Sequence, residues 1–362
     1  MRRSESLLAA TCDTVTRGGT RTVGMNGRQL FSWHGWEVYE HHREQARSKL
    51  GAELQEILRC LSCLSKLDAD GTGGYVCPGC KRAYPFINGI ARFVDAQHYA
   101  ASFGFQWHRY QRVQFDHDEI KEEDRQFRIK TTLRPEELQG KLVLDVGCGM
   151  GRFAEVATSW GAHVVGVDLS AAAEVAAKNL ADRDFVAFQS DVFALPFAPE
   201  SFDVIYSVGV LHHTPDCEAA VKALEKYLKP GGLLAVWLYS GYNKWYRFSD
   251  FWRHFTTRMK PQTLHGILKV VVPVSYNTQT ILKKIPLVGR PAAGLVHHVF
   301  PVNRQPDPEY RMLDTFDWYS PKYQSKHTYE QVFRWYEAMG MADMRVGDFS
   351  IAVCGRKPPR KD

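Results

Sequence analysis

From Lys141 onward, short apolar runs alternate with stretches whose apolar residues recur at helical spacing. The runs "KLVLDVG", "HVVGVDLS", "DFVAFQSD", "FDVIYSVGVLHH" and "GLLAVWLYS" read as buried strands. Between the first two, "GRFAEVATSWGA" places Phe153, Val156, Ala157 and Trp160 on one helical face, with Gly161 as the stop. "AAAEVAAKNLA" reads as a second helix, and a further helix ends in "YLKPGG" ahead of the fifth strand. The C-terminus adds the helix "HTYEQVFRWYEAMG" and a closing hairpin in "MADMRVGDFSIAVCGRK". Strands alternating with helices predict parallel pairing through crossover helices. The expected fold is therefore an open, doubly wound α/β sheet, with its ligand at the carboxyl ends of the strands.

The remainder is less regular. Residues 1–56 show no clear period; "MNGRQLFSWHGWEVYEHHREQARSKL" predicts a short helix, and everything before Met25 reads as a tail. A cysteine module follows over 57–95. A linker over 96–139 then contains "SFGFQWHRYQRVQFDHDEIKEEDRQFRIKTTL", which predicts one or two helices. The α/β domain spans 140–357, with an insertion over 240–325 where a minimal fold of this kind needs few residues.

With 44% hydrophobic and 24% charged residues, the chain can bury an ordinary globular core. It has no apolar run of about 18 residues, so a membrane span is not expected. The apolar stretch near the N-terminus is too short for a secretory signal, which makes the cytoplasm the expected compartment and disfavours structural disulfides. A net charge of +6 does not by itself indicate nucleic acid. The charge is unevenly placed, however: between Gly241 and Met312 there are eleven Lys/Arg against three Asp/Glu, a local +8.

The most informative stretch is "VLDVGCGMGRF". Gly147, Gly149 and Gly151 follow the first strand and open a helix, so backbone can approach a ligand where a Cβ would block it. A dinucleotide fold wants glycine at 152, where Arg152 stands. An acid, Asp145, precedes the loop and suits a ligand presenting an ammonium group. Asp168, twenty-three residues on, ends the second strand and is placed to accept bonds from ribose hydroxyls. Asp191, after the third strand, is placed to receive an adenine amino group.

At these residues the chain resembles the class I S-adenosylmethionine-dependent methyltransferases. The resemblance covers about 140–357 and includes "SDVFALPFAPESFDVIYSVGVLHHTPD" and "LKPGGLLAVW". It implies a seven-stranded sheet in which Asp145 and the loop residues Gly147, Cys148, Gly149 and Gly151 hold the methionine moiety. Asp168 and Leu169 would hold the ribose, Asp191 and Val192 the adenine, and Ser207 and Val208 would line the cofactor beside the transferable methyl. The competing reading is a Rossmann-like dehydrogenase or a cofactor-free domain.

Methyl transfer is a displacement in which positioning supplies much of the rate. A base is needed only when the acceptor must lose a proton. His212 and His213, after the fourth strand, are the candidates for that base or for substrate contact. Their alternative role is a turn element, one ring packing and the other capping the next helix. Tyr239 is a weaker candidate for a hydroxyl in the acceptor pocket. In "FGFQWHRYQ", Gln106, Trp107 and Arg109 are lid candidates, although Phe103, Trp107 and Tyr110 also fit a core stripe, the favoured reading for the aromatics. The insertion, with its aromatic and basic run "YSGYNKWYRFSDFWRHFTTRMK", reads first as a lid over the acceptor. A peripheral membrane contact through 241–312 comes second and a nucleic-acid face last. The acids and tyrosines of "LDTFDWYSPKYQSKHT" are expected to border the pocket.

Cys60-Leu-Ser-Cys63 and Cys77-Pro-Gly-Cys80 are spaced as metal ligands, disulfides or a redox couple would be. Two such knuckles at this distance favour a zinc ribbon, each presenting two thiolates to a tetrahedral ion. Gly79 helps the second knuckle turn, and Gly71, Gly73 and Gly74 make the connection between them. Cys12, Cys148, Cys217 and Cys354 lack partners at ligand spacing. With "KRAYPFINGIARFV", the module resembles the zinc-ribbon activator subunits of tRNA and protein methyltransferases. It is also similar to the N-terminal ribbon of ribosomal RNA guanine methyltransferases. The expectation is a methyltransferase acting on a small or lipid-linked acceptor, with structural zinc remote from the cofactor. The alternatives are an RNA methyltransferase and a non-catalytic zinc-ribbon interaction protein.

Overall fold

The computed structural model describes residues 50–94, 101–110, 115, 121–242 and 246–360. Most of the helix expected within 25–50, and Cys12, lie outside the described residues. Residues 50–57 form helix α1. The cysteine module then forms a three-stranded antiparallel sheet of β1 (Asp68–Ala69), β2 (Tyr75–Val76) and β3 (Ala83–Tyr84), followed by the hairpin β4 (Phe86–Ile87) and β5 (Ile90–Arg92). Helices α2 (Ala101–Arg109), α3 (Glu122–Thr131) and the short α4 (Pro135–Leu138) precede the main domain.

There the predicted alternation is present: β6 (Leu142–Val146), α5 (Arg152–Ser159), β7 (His163–Asp168), α6 (Ala172–Asn179), β8 (Phe185–Gln189), β9 (Phe202–Val208), α7 (Cys217–Glu225) and β10 (Leu228–Trp237). The insertion holds four helices, α8 (Tyr246–Thr256), α9 (Pro261–Leu282), α10 (Gly289–Val299) and α11 (Pro308–Tyr319). Helix α12 (Tyr329–Ala338) and the antiparallel strands β11 (Ala342–Val346) and β12 (Ala352–Arg356) close the chain.

The main sheet runs β11-β12-β10-β9-β6-β7-β8-β5-β4. Every residue of β6 is buried, as a strand covered on both faces requires. Strand β6 pairs with β7 on one side and β9 on the other, so the winding reverses there and opens a crevice at the strand ends. Among the described residues the sheet has nine strands, not the expected seven. The extra two come from the cysteine module: β5 pairs in parallel with β8, Ala91 opposite Phe188, and β4 folds back on β5. An exposed β8 edge would leave a row of unpaired backbone groups, and the hairpin covers it. Asn88 and Gly89 both take positive φ, 53° and 87°, the geometry of a two-residue primed turn.

The module shares its core with the main domain. Leu58, Tyr84 and Phe93 lie in one buried cluster with Phe188, Phe197 and Phe202. The Phe93 ring sits 4.7 Å from Tyr84 and 5.6 Å from Phe188. Arg59 N–H donates to the Pro196 carbonyl (2.8 Å), and Ala198 N–H donates to that of Ile57 (2.7 Å). In the insertion, Leu264, Leu268 and Val272 of α9 pack with Met312, Leu313 and Phe316 of α11 and with Tyr110 just after α2.

Candidate active site

The glycine loop leaves β6 and enters α5 over an open crevice. Gly147 has φ +80°, and a Cβ there would lie 2.3 Å from the Val210 side chain, so only glycine fits. Gly149, at φ +54°, directs its N–H to an Asp168 carboxylate oxygen at 3.0 Å. The other Asp168 oxygen accepts from the Ser170 N–H (2.8 Å) and hydroxyl (2.7 Å). Asp168 is thus held rigidly at the end of β7. Asp191 follows β8 and accepts from the Phe193 N–H at 3.0 Å.

These residues share a cavity of about 570 Å³ with Cys148, Leu169, Val192 and Val208, within the usual range for small-molecule sites. Helix α2 contributes Phe103, Gln106 and Trp107; the Trp107 ring lies against Gly149, where an added Cβ would meet it at 3.4 Å. Gln106 is buried, and its side-chain oxygen makes no hydrogen bond among the described residues. Arg109 is exposed, and Tyr110 turns to the insertion, bonding His265 at 2.9 Å.

Three expected cofactor contacts, Gly151, Asp145 and Ser207, do not line the cavity; Gly151, at φ +94°, turns toward Leu180, which an added Cβ would meet at 2.9 Å. Asp145 is buried behind the loop beside Tyr206; burial, with Asp168 nearby, pushes its carboxyl up to about 8, and the Tyr206 hydroxyl pulls the other way. Ser207 is fully buried and donates its hydroxyl to the Val146 carbonyl at 2.8 Å, fastening β9 to β6.

The two histidines, on a 3₁₀ turn over Leu211–His213, separate. His212 is fully buried and lies outside the cavity; its ring stacks on Tyr239 at 3.8 Å, and neither ring nitrogen has a hydrogen bond among the described residues. Burial and the neighbouring His213 hold it far below the usual histidine range, so it is a neutral packing ring. Its placement matches the packing role weighed as the alternative to a base. His213 lines the cavity. Its Nδ1 lies 2.9 Å from the Tyr323 carbonyl, an acceptor only, so Nδ1 carries the proton and Nε2 keeps its lone pair. Burial lowers its pKa, Asp317 opposing.

Sequence reading placed the acids of 313–328 at the pocket but missed the rest of the far wall. Lys130 of α3, buried, lies over the Trp237 ring at 4.5 Å and the Phe349 ring at 5.2 Å. Burial, with Arg152 nearby, draws its ammonium down to about 7. Arg152, the residue standing where a dinucleotide fold has glycine, pairs with buried Glu123 at 3.3 Å. From the insertion, α11 adds Tyr310, Asp314, Asp317 and Trp318. Burial pushes the Asp314 carboxyl up to about 7 although Arg152 pulls it down. The Tyr239 hydroxyl donates to Asp317 at 3.0 Å. The only sequence signals were the acids and tyrosines of 313–328 and the arginine at 152.

In the cysteine module, the Sγ atoms of Cys60, Cys63, Cys77 and Cys80 all lie within 4.8 Å of one another. Cys60 and Cys80 are 3.5 Å apart, and Cys63 and Cys77 are 3.3 Å apart, too far for disulfides.

Fold and crevice define a doubly wound domain built to hold a nucleoside-bearing ligand. The family described as "Methyltransferase domain" matches residues 144–236, from β6 into β10. The chain is 32% identical over 160 residues to a ubiquinone biosynthesis O-methyltransferase of Aromatoleum aromaticum, covering 42% of this chain and 68% of that protein. A Stutzerimonas stutzeri protein of the same name is 30% identical over 141 residues, 38% of this chain and 60% of its own. A crystal structure of an S-adenosylmethionine-dependent methyltransferase from Mesorhizobium loti aligns at 31% identity over 29% of this chain and 48% of that one, with a TM-score of 0.27. The chain belongs to the S-adenosylmethionine-dependent methyltransferases. It spans 57–68% of the length of the curated relatives it matches.

Proposed function

We propose that this enzyme methylates a hydroxyl of a small or lipid-linked acceptor, with His213 as the base. One observation carries the reading: of the two adjacent histidines, His213 lines the cavity, and its Nε2, buried and without a hydrogen-bond partner among the described residues, can accept a proton. The names of the relatives, O-methyltransferases, support oxygen as the target. Asp168 and Leu169 would hold the ribose, Asp191 and Val192 the adenine, and the glycine loop with Gln106 the amino-acid end of S-adenosylmethionine. The glycine cradle and the unbonded Gln106 oxygen fit that ligand. When bound, the cofactor supplies a methyl group on a good leaving group. His213 takes the hydroxyl proton at Nε2, and burial keeps its ring neutral at physiological pH. Trp237, Phe349 and Trp318 exclude water, and the Tyr239–Asp317 pair orients the acceptor.

His213→Gln is expected to lower kcat by about 10²- to 10⁴-fold, with cofactor affinity by calorimetry little changed. The wild-type rate should hold below the ordinary histidine pKa of about 6.5. Methyl label should enter the small-molecule or lipid fraction of a cell extract. An undiminished kcat in the variant, or label confined to RNA or protein, overturns the reading.

We further infer that the four thiolates hold one structural zinc ion. The observed Sγ separations bracket the edge of about 3.8 Å set by a tetrahedral site with Zn–S of about 2.3 Å.

A further inference from the structure

The insertion that walls the cavity has a second face with no assigned role. Between Asp250 and Asp307 the chain has no acidic residue and eight Lys/Arg. Twelve of the twenty exposed large hydrophobic side chains among the described residues fall in this same segment. On α9 they form a stripe: Ile267, Val270, Val274 and Ile281 are exposed, whereas Leu264, Leu268, Val272, Ser275 and Gln279 are buried. At about 100° per residue the two sets form separate faces centred roughly 130° apart around the helix. The exposed stripe continues into the turn before α10, where Ile285, Leu287 and Val288 stand among Lys283, Lys284 and Arg290. Leu287 is 98% exposed and has φ +64°, a backbone conformation unfavourable for leucine, held with no packing in return.

We propose that the outer face of α9 and the α9–α10 turn docks on an anionic membrane surface. Charge selects this occupant. A second copy would set basic residues against basic residues, because the face offers no acids to receive them. Its exposed apolar side chains on α9 and the turn are all aliphatic, which gives nucleic-acid bases nothing to stack on. Apolar residues ringed by Lys and Arg are the composition of an interfacial helix. No helix among the described residues is long and apolar enough to cross a membrane, so α9 lies along the surface. The inner face of α9 packs on α11, which carries Asp314, Asp317 and Trp318 into the cavity. Docking therefore places the bilayer on the element that shapes the acceptor wall. The proposal does not depend on the identity of the acceptor or on His213.

The full chain should sediment with vesicles of phosphatidylcholine mixed with phosphatidylglycerol, less at high salt, and not with phosphatidylcholine alone. The pair Lys283→Glu and Lys284→Glu should weaken partitioning by at least about fivefold per residue. Leu287→Asp should weaken it by about tenfold. Leu287 has no packing to lose, and aspartate accepts its backbone better, so circular dichroism and S-adenosylmethionine affinity should stay unchanged. Absence of binding to the anionic vesicles overturns the proposal, as does binding indifferent to all three substitutions. Self-association of the wild type that Leu287→Asp abolishes, without vesicle binding, assigns the face to a second copy and also overturns it.

Discussion

His212 and His213 are adjacent in sequence and opposite in environment. One stacks on Tyr239 away from the cavity; the other lines it, oriented by a carbonyl 110 positions later in the chain. The motif marked the pair, and only the packing chose between them. Asp145 shows the same limit. Its place before the glycine loop was readable, but its depth was not. Because its folded pKa is raised to about 8 from about 4, the unfolded chain gives up this proton first. Its contribution to stability is full below about pH 4 and is lost as pH rises toward 8. Asp145→Asn should therefore flatten the fall in stability over that window, measured as urea midpoints against pH in the ligand-free protein. A slope identical to wild type would contradict the buried, proton-holding carboxyl. Lys130 and Arg152 were invisible as site residues because they come from helices whose cavity-facing sides no local pattern reveals.

At the scale of elements, apolar runs and helical spacing located β6 to β10 and their helices, since those patterns are local. The β4–β5 hairpin escaped, although "FINGI" carries an Asn-Gly turn between apolar residues, the sequence signal for a tight hairpin. That the hairpin joins β8 could not be read, because pairing depends on which sheet edge lies near. Gly89 tests the element cleanly: a Cβ there would meet nothing within 4 Å, so its positive φ alone is at stake. Gly89→Val should cost about 1–2 kcal/mol in urea unfolding, with methyl transfer retained. A neutral substitution would mean that the turn geometry does not constrain the hairpin.

For the whole molecule, the cysteine module is an extension of the catalytic sheet rather than an appended bead. Its core residues continue into Phe188 and Phe197, on either side of Asp191 in sequence. That shared core argues against the expectation that zinc stands apart from the cofactor. Cys77→Ser should lose zinc, lower the unfolding temperature, and weaken S-adenosylmethionine binding through displacement of the 191–197 segment. Unchanged cofactor affinity in a folded, zinc-free variant would show the module to be energetically separate. The sequence by itself determined the alternating domain, the glycine loop with Asp168 and Asp191, and the spacing of the four thiols, all features encoded within a few residues of one another. The tertiary structure decided that the sheet has nine strands among the described residues, that His213 and not His212 meets the cavity, that Ser207 fastens strands, and that Lys130 and Arg152 join Asp314 in the far wall. Those outcomes depend on burial and on contacts between distant segments, which exist only once the chain has folded.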